Sequence, residues 1–204
     1  MFFLKSSKSS KRWSFLFLPA VFLVPTTVVA YGEPTEMSSP SEKTGEKALI
    51  VEMKSTAPNN QEVVGTVRIS QRATGVVIKP AMKGLEPGLH GFHLHEGDSC
   101  QSGRTEGGDT ASPSREPAKE AGAHWDPGLK GNHEGPWKHG HRGDLPNLYV
   151  NQDGEAVTPV YAPRMPSRDF KNRALVVHAQ RDNYSGEPDS SGGSGEAIAC
   201  GILR

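Results

Sequence analysis

Apolar residues along this chain cluster in short, β-rich runs that turn residues separate. "ALIVEMKS" (48–55), "QEVVGTVRIS" (61–70), "ATGVVIKPAM" (73–82) and "GLHGFHLHE" (88–96) come first. Further on, "NLYVNQDGEAVTPVYAP" (147–163) predicts a hairpin with "NQDG" at its turn. "RALVVHAQ" (173–180) and "AIACGILR" (197–204) read as two more strands. No stretch sustains the apolar face of a packed helix. Seven or eight short strands with turn signals between them predict an all-β fold, an antiparallel sandwich or barrel. From Glu96 to Pro146 the pattern stops, in about fifty residues full of Gly, Pro, Asp and Ser. A loop that long is usually functional or disordered. A bound metal could order it.

The N-terminus carries a different signal. The first thirty residues hold Lys5, Lys8, Lys11 and Arg12 and no acid, and an apolar run from Trp13 to Val29 is broken by Pro25. "VVA" at 28–30 suits a cleavage site, so residues 1–30 are predicted to be a signal peptide. The run is short for a span, so no stable membrane insertion is expected after cleavage. Residues 31–46, "YGEPTEMSSPSEKTGE", predict a flexible leader. Residues 47–204 are left as the folded domain, destined for a periplasmic or secreted location. The formal net charge is zero over 204 residues, and without the leading cations acids outnumber bases. Nucleic acid is therefore excluded as a partner. Export places the two cysteines in an oxidising compartment, where one disulfide is the simplest outcome.

The eight histidines change the picture most. Alternate residues of a strand share a face, so His93 and His95 point one way while His90, Phe92 and Leu94 point the other. Two imidazoles on one face can hold one metal ion. His90, on the apolar face, is expected to be a buried, hydrogen-bonded group. "HWDPGLKGNHEGPWKHGHRGD" (124–144) supplies His124, His133, His141 and Asp144, with Gly and Pro between them to let the chain curl. Three imidazoles and a carboxylate make a closed tetrahedral zinc set. His139 could compete with His141 and is expected to face solvent instead. His178, in a strand context, gains interest only beside His93 and His95. A zinc hydrolase is disfavoured, because there is no H-E-x-x-H and the zinc set leaves no open position.

Taken together, "GLHGFHLHE", "AGAHWDP", "HEGPWKHGHRGDLPNLYVN", "ALVVHAQRDN" and "ACGIL" closely resemble the copper,zinc superoxide dismutases, especially their exported bacterial branch. The similarity runs from about Lys47 to Arg204. It implies a flattened eight-stranded antiparallel Greek-key barrel with long metal-binding and electrostatic loops. It also implies the cofactors copper and zinc, and dismutation of superoxide to O₂ and H₂O₂. By position, His93, His95, His124 and His178 correspond to the copper ligands and so to the catalytic set. His124, His133, His141 and Asp144 correspond to the zinc ligands, with His124 bridging the two metals and carrying a proton during the cycle. Asp182 matches a carboxylate that connects the far nitrogens of His93 and His133. Cys100 and Cys200 match the family's disulfide. Superoxide is then the partner to expect, with a homodimer as one assembly open to the chain.

Two departures stand out. The stretch 96–123 is longer than the family pattern and reads as a loose, polar surface insertion. The family also places an arginine three residues before the final cysteine, at the mouth of the copper channel, where this chain has Ala197. Its loss should leave metal binding intact and weaken capture of the anion. Arg181, three residues after His178, is the expected replacement for anion guidance, ahead of Arg104, Arg115 and Arg142. Ala197 also keeps an alternative open: a non-enzymatic copper- and zinc-binding protein, or a catalytically weakened one.

Overall fold

In the computed structural model, residues 48–58, 60–104 and 115–204 are described. The predicted signal peptide and leader lie outside the described residues. The first three apolar runs form β1 (Leu49–Ser55), β2 (Val63–Arg72) and β3 (Gly75–Met82). "GLHGFHLHE" forms β4 (Gly88–His90) and β5 (Phe92–Leu94), and two short strands follow, β6 (Gly103–Arg104) and β7 (Arg115–Glu116). The later strands are β8 (Leu148–Val150), β9 (Val160–Ala162), β10 (Arg173–His178) and β11 (Ala197–Leu203). Single 3-10 turns stand at Lys119–Ala121 and Ser167–Phe170.

Seven strands make one antiparallel sheet in the order β5-β10-β11-β1-β2-β3-β9. β4 continues into β5 across Gly91 but pairs with β8, with His90 opposite Leu148. Counting β4 and β5 as one interrupted strand, eight strands enclose the core, as the Greek-key expectation requires. β6 and β7 form a separate two-stranded ribbon. Strand parity explains the core. In β1, Val51 and Met53 point inward while Glu52 and Lys54 stay exposed. Val67, Ile69, Val76, Ile78, Phe92, Leu94, Leu148 and Leu175 join them in one buried cluster. Each such side chain contributes roughly 1.5–3 kcal/mol by leaving water.

Two expectations need correcting. "NQDG" does turn the chain: Asn151 Oδ1 accepts from the backbone N–H of Asp153 (3.0 Å) and of Glu155 (2.9 Å). Yet β8 and β9 on either side do not pair with each other. β8 pairs with β4 and β9 with β3, because the turn is local while the open sheet edges lie elsewhere. The described ends of stretch 96–123 are also not loose. Ala118 and Ala121 are buried against Ala174, Val176 and Cys200, on the outer face of β10 and β11. That cover explains why β10 reads "RALVVH" without polar alternation, since it is buried on both faces. Cys100 and Cys200 are joined by a disulfide with a Cα–Cα distance of 5.8 Å, fastening the same segment to β11 across 100 positions.

Candidate metal centre

The long loop meets β5 through backbone contacts. Leu94 donates its N–H to Gly143 O (2.9 Å), Trp125 N–H donates to Leu94 O (2.8 Å), and Gly143 N–H donates to Trp125 O (2.8 Å). Gly143 must be glycine for this approach, because a Cβ there would lie 2.1 Å from Leu94 O. The weave sets His124 beside His95, and Asp144 beside His93. β10 lies on the other side of β5 and delivers His178 from its end, where the ladder to β11 shifts register between Val177 and His178.

Seven side chains thus converge into two overlapping donor groups. His93, His95, His124 and His178 form one, and His124, His133, His141 and Asp144 form another, each with its donor atoms within 4.8 Å of one another. His124 belongs to both. The outward nitrogens are already tied. His95 Nδ1 lies 2.8 Å from Gly122 O, and His178 Nδ1 lies 2.9 Å from Gly195 O. His93 Nε2 and His133 Nε2 lie 2.9 and 2.8 Å from the two oxygens of Asp182. A ring that donates its outer N–H keeps an inward lone pair. Those lone pairs are then on Nε2 of His95 and His178 and Nδ1 of His93 and His133. His124 Nδ1 faces Asp144 Oδ1 at 3.0 Å, which leaves its Nε2 for the first group.

Buried polar atoms normally find partners. Here His93 Nδ1 and His133 Nδ1 are buried with none. His133 Nδ1 approaches Asp144 Oδ1 at 3.2 Å, but without hydrogen-bond geometry. Cations in both groups would satisfy these atoms. Four imidazoles suit copper, and three imidazoles with a carboxylate suit a closed zinc site.

Electrostatics separate the two groups. Burial pushes His95 down to about 3 and His178 down to about 4. Burial and the neighbouring imidazoles hold His93 well below its ordinary range, and burial also lowers His124. These rings are neutral donors at neutral pH. With no cation bound, burial of His133 is outweighed by the neighbouring carboxylates of Asp144 and Asp182, which push it up to about 9. Asp144 is buried too, yet the three imidazoles around it, two of them hydrogen-bonded to it, hold it far below the carboxylate range. The second group is thus built around a permanent negative charge.

A family model described as Copper/zinc superoxide dismutase (SODC) matches residues 63–203. This chain belongs to the copper/zinc superoxide dismutase family. The Superoxide dismutase [Cu-Zn] of Escherichia coli strain K12 is 45% identical over 142 residues, 69% of this chain and 79% of that protein. The solved Cu/Zn superoxide dismutase from Brucella abortus is 40% identical, with a TM-score of 0.70 over 78% of this chain and 100% of that one. The solution structure of the monomeric enzyme from Salmonella enterica is 42% identical, with a TM-score of 0.66 over the same shares of the two chains. A monomeric relative lends no support to the homodimer expectation.

Several residues that brace these donor groups were not visible in the sequence. Arg164 donates to four backbone carbonyls of the loop that carries His133 and His141: Pro136 (3.0 Å), Gly140 (3.1 Å), Gly135 (3.0 Å) and His141 (2.8 Å). Asn147 and Asp182 exchange two side chain–backbone hydrogen bonds, of 2.9 and 2.8 Å, that fix the Asp182 backbone. His90 is buried as expected, with Nδ1 2.7 Å from His178 O and Nε2 2.8 Å from Glu86 O. His139 is exposed, also as expected. A pocket of about 420 Å³ opens over His95 and His178, with Ala197 in its wall. Arg181 is exposed and is not among the residues that line this pocket, whereas Lys119 is. Arg142 is paired with Asp169 at 3.0 Å.

Proposed function

We propose that the chain is a superoxide dismutase holding copper between His93, His95, His124 and His178, and zinc between His124, His133, His141 and Asp144. The observation that carries the reading is His124: one buried ring serves two complete donor groups, in a chain of this family. When bound, copper supplies a one-electron couple and zinc a fixed positive charge. The reaction takes two superoxide anions and two protons to one O₂ and one H₂O₂.

The chain's own residues set the conditions for that exchange. Gly122 O and Gly195 O hold the rings of His95 and His178, so their donor nitrogens stay aimed inward without reorganising. Asp182 does the same for His93 on one side and His133 on the other, making one carboxylate responsible for both groups. With Nδ1 turned to Asp144, His124 Nε2 is the nitrogen that would take up a proton on the side of the first group and give it up to the product. The pocket above His95 and His178 admits the anion. Ala197 bears on how fast the anion is captured and leaves the donor groups complete.

The N-terminal pattern supports export to the periplasm with removal of residues 1–30. Among the described residues no helix is long and apolar enough to cross a membrane. The decisive test tracks superoxide decay with metal-free, zinc-loaded and copper- and zinc-loaded protein. Acceleration only where copper is present is expected. Spontaneous decay alone, at full occupancy of both metals, overturns the proposal and favours a non-enzymatic metal-binding role.

A further inference from the structure

The pocket over His95 and His178 is the approach for superoxide, so any role of its charges in anion capture rests on the proposed function. Among the described residues, its charged lining consists of Glu116, Lys119 and Glu196, with Lys119 the one lysine or arginine. An anion therefore arrives past two carboxylates and a single ammonium. Lys119 Nζ lies 2.7 Å from Glu116 Oε2, and their side chains are 49% and 42% exposed. A pair this exposed adds little to stability. Its charges nevertheless stand at the entrance, where they act on any ion passing in.

The local fold fixes where these charges sit. Ala118 and Ala121, on either side of Lys119, are held on the outer face of β10 and β11. The stem of Lys119 packs on Gly103 of β6, where a Cβ would meet Lys119 Cγ at 2.6 Å. Glu116 ends β7, opposite Gly103. The same turn ends at Gly122, whose carbonyl holds His95 Nδ1. The ribbon thus ties the Glu116–Lys119 pair to a ring of the first donor group.

We propose that Lys119 is the docking cation for superoxide in this chain and that Glu116 restrains it, so that this pair sets the rate of anion capture. Removing Glu116 frees a full positive charge at the entrance. Removing Lys119 leaves Glu116 and Glu196 facing the anion with no cation between them. A salt bridge that only braced the ribbon would respond in the same direction to loss of either partner. A steering pair responds in opposite directions.

The experiment compares copper- and zinc-loaded wild type, K119A, K119R, E116Q and R181A at matched metal content. Two properties are read: dismutation rate against ionic strength, and affinity for azide, a small anion followed optically at the copper. At low ionic strength K119A is expected to be about threefold slower and E116Q about threefold faster. Both differences shrink as salt rises past roughly 0.15 M, where the screening length is about 8 Å. Azide affinity changes in the same order, and K119R restores the wild-type values. K119A and E116Q moving in the same direction would overturn the proposal, as would a loss seen in R181A with K119A unchanged. If the wild type does not dismute superoxide at all, the proposed function fails, and the azide affinities still decide the role of Lys119.

Discussion

Asp182 offers the sharpest perturbation of the centre. Its buried carboxylate takes three donors: His93 Nε2 at 2.9 Å on Oδ2, with His133 Nε2 at 2.8 Å and the Tyr184 N–H at 2.7 Å on Oδ1. Asp182→Asn keeps the shape and replaces one oxygen by an NH₂ group. The amide oxygen will settle on the side with two donors, which sets the NH₂ against the N–H of His93. One charge-assisted hydrogen bond is then lost, worth about 1.5–3 kcal/mol. Passed on to ligand basicity and orientation, that is about a 10- to 100-fold loss of metal affinity. It should fall mainly on copper, because His93 is in the first donor group while His133 keeps its acceptor. Competition titrations of copper and zinc against a chelator, on wild type and D182N, measure this. Zinc affinity falling as far as copper affinity, or neither changing by as much as threefold, would refute the reasoning.

Other residues give effects of different kinds. Arg164→Ala removes four hydrogen bonds to the loop carrying His133 and His141. It should weaken zinc about tenfold by the same competition assay, with copper little altered. Cys200→Ser opens a bridge spanning 100 positions, and should cost about 2–5 kcal/mol in denaturant unfolding of the metal-free protein. For the metal-free protein, stability should also peak near pH 6–7. His95 and His178, lowered to about 3 and about 4, contribute stability that is present above the unfolded value of 6.5 and lost as pH falls toward 4. His133, raised to about 9, contributes stability that is present below 6.5 and lost as pH rises through 9. Thermal unfolding midpoints across pH check this, and a midpoint that kept rising on acidification would contradict it.

The fold was legible where local pattern and burial agree. Strand parity put Phe92 and Leu94 on the apolar face, and it separated His90 from His93 and His95. The pairing expected across "NQDG" fails because turn chemistry is local, whereas the partners of β8 and β9 lie on distant strands. The stretch after His95 escapes a sequence reading for another reason. Its anchoring groups are two alanines and a cysteine, too small to stand out in a polar run. Convergence of the seven donor side chains was legible from spacing and family resemblance together. Arg164 was not, because its acceptors are main-chain carbonyls that leave no trace in residue type. Nor was the place of Lys119 in the pocket wall, because distance along the chain from His178 carries no information about direction.

Anomalous diffraction from crystals of the copper- and zinc-loaded protein, recorded at the two absorption edges, tests the shared-histidine centre most directly. Two separate peaks are expected. Copper signal should lie among His93, His95, His124 and His178, and zinc signal among His124, His133, His141 and Asp144, with the His124 ring between them. Both metals in a single donor group, or one group empty at full loading, would contradict it.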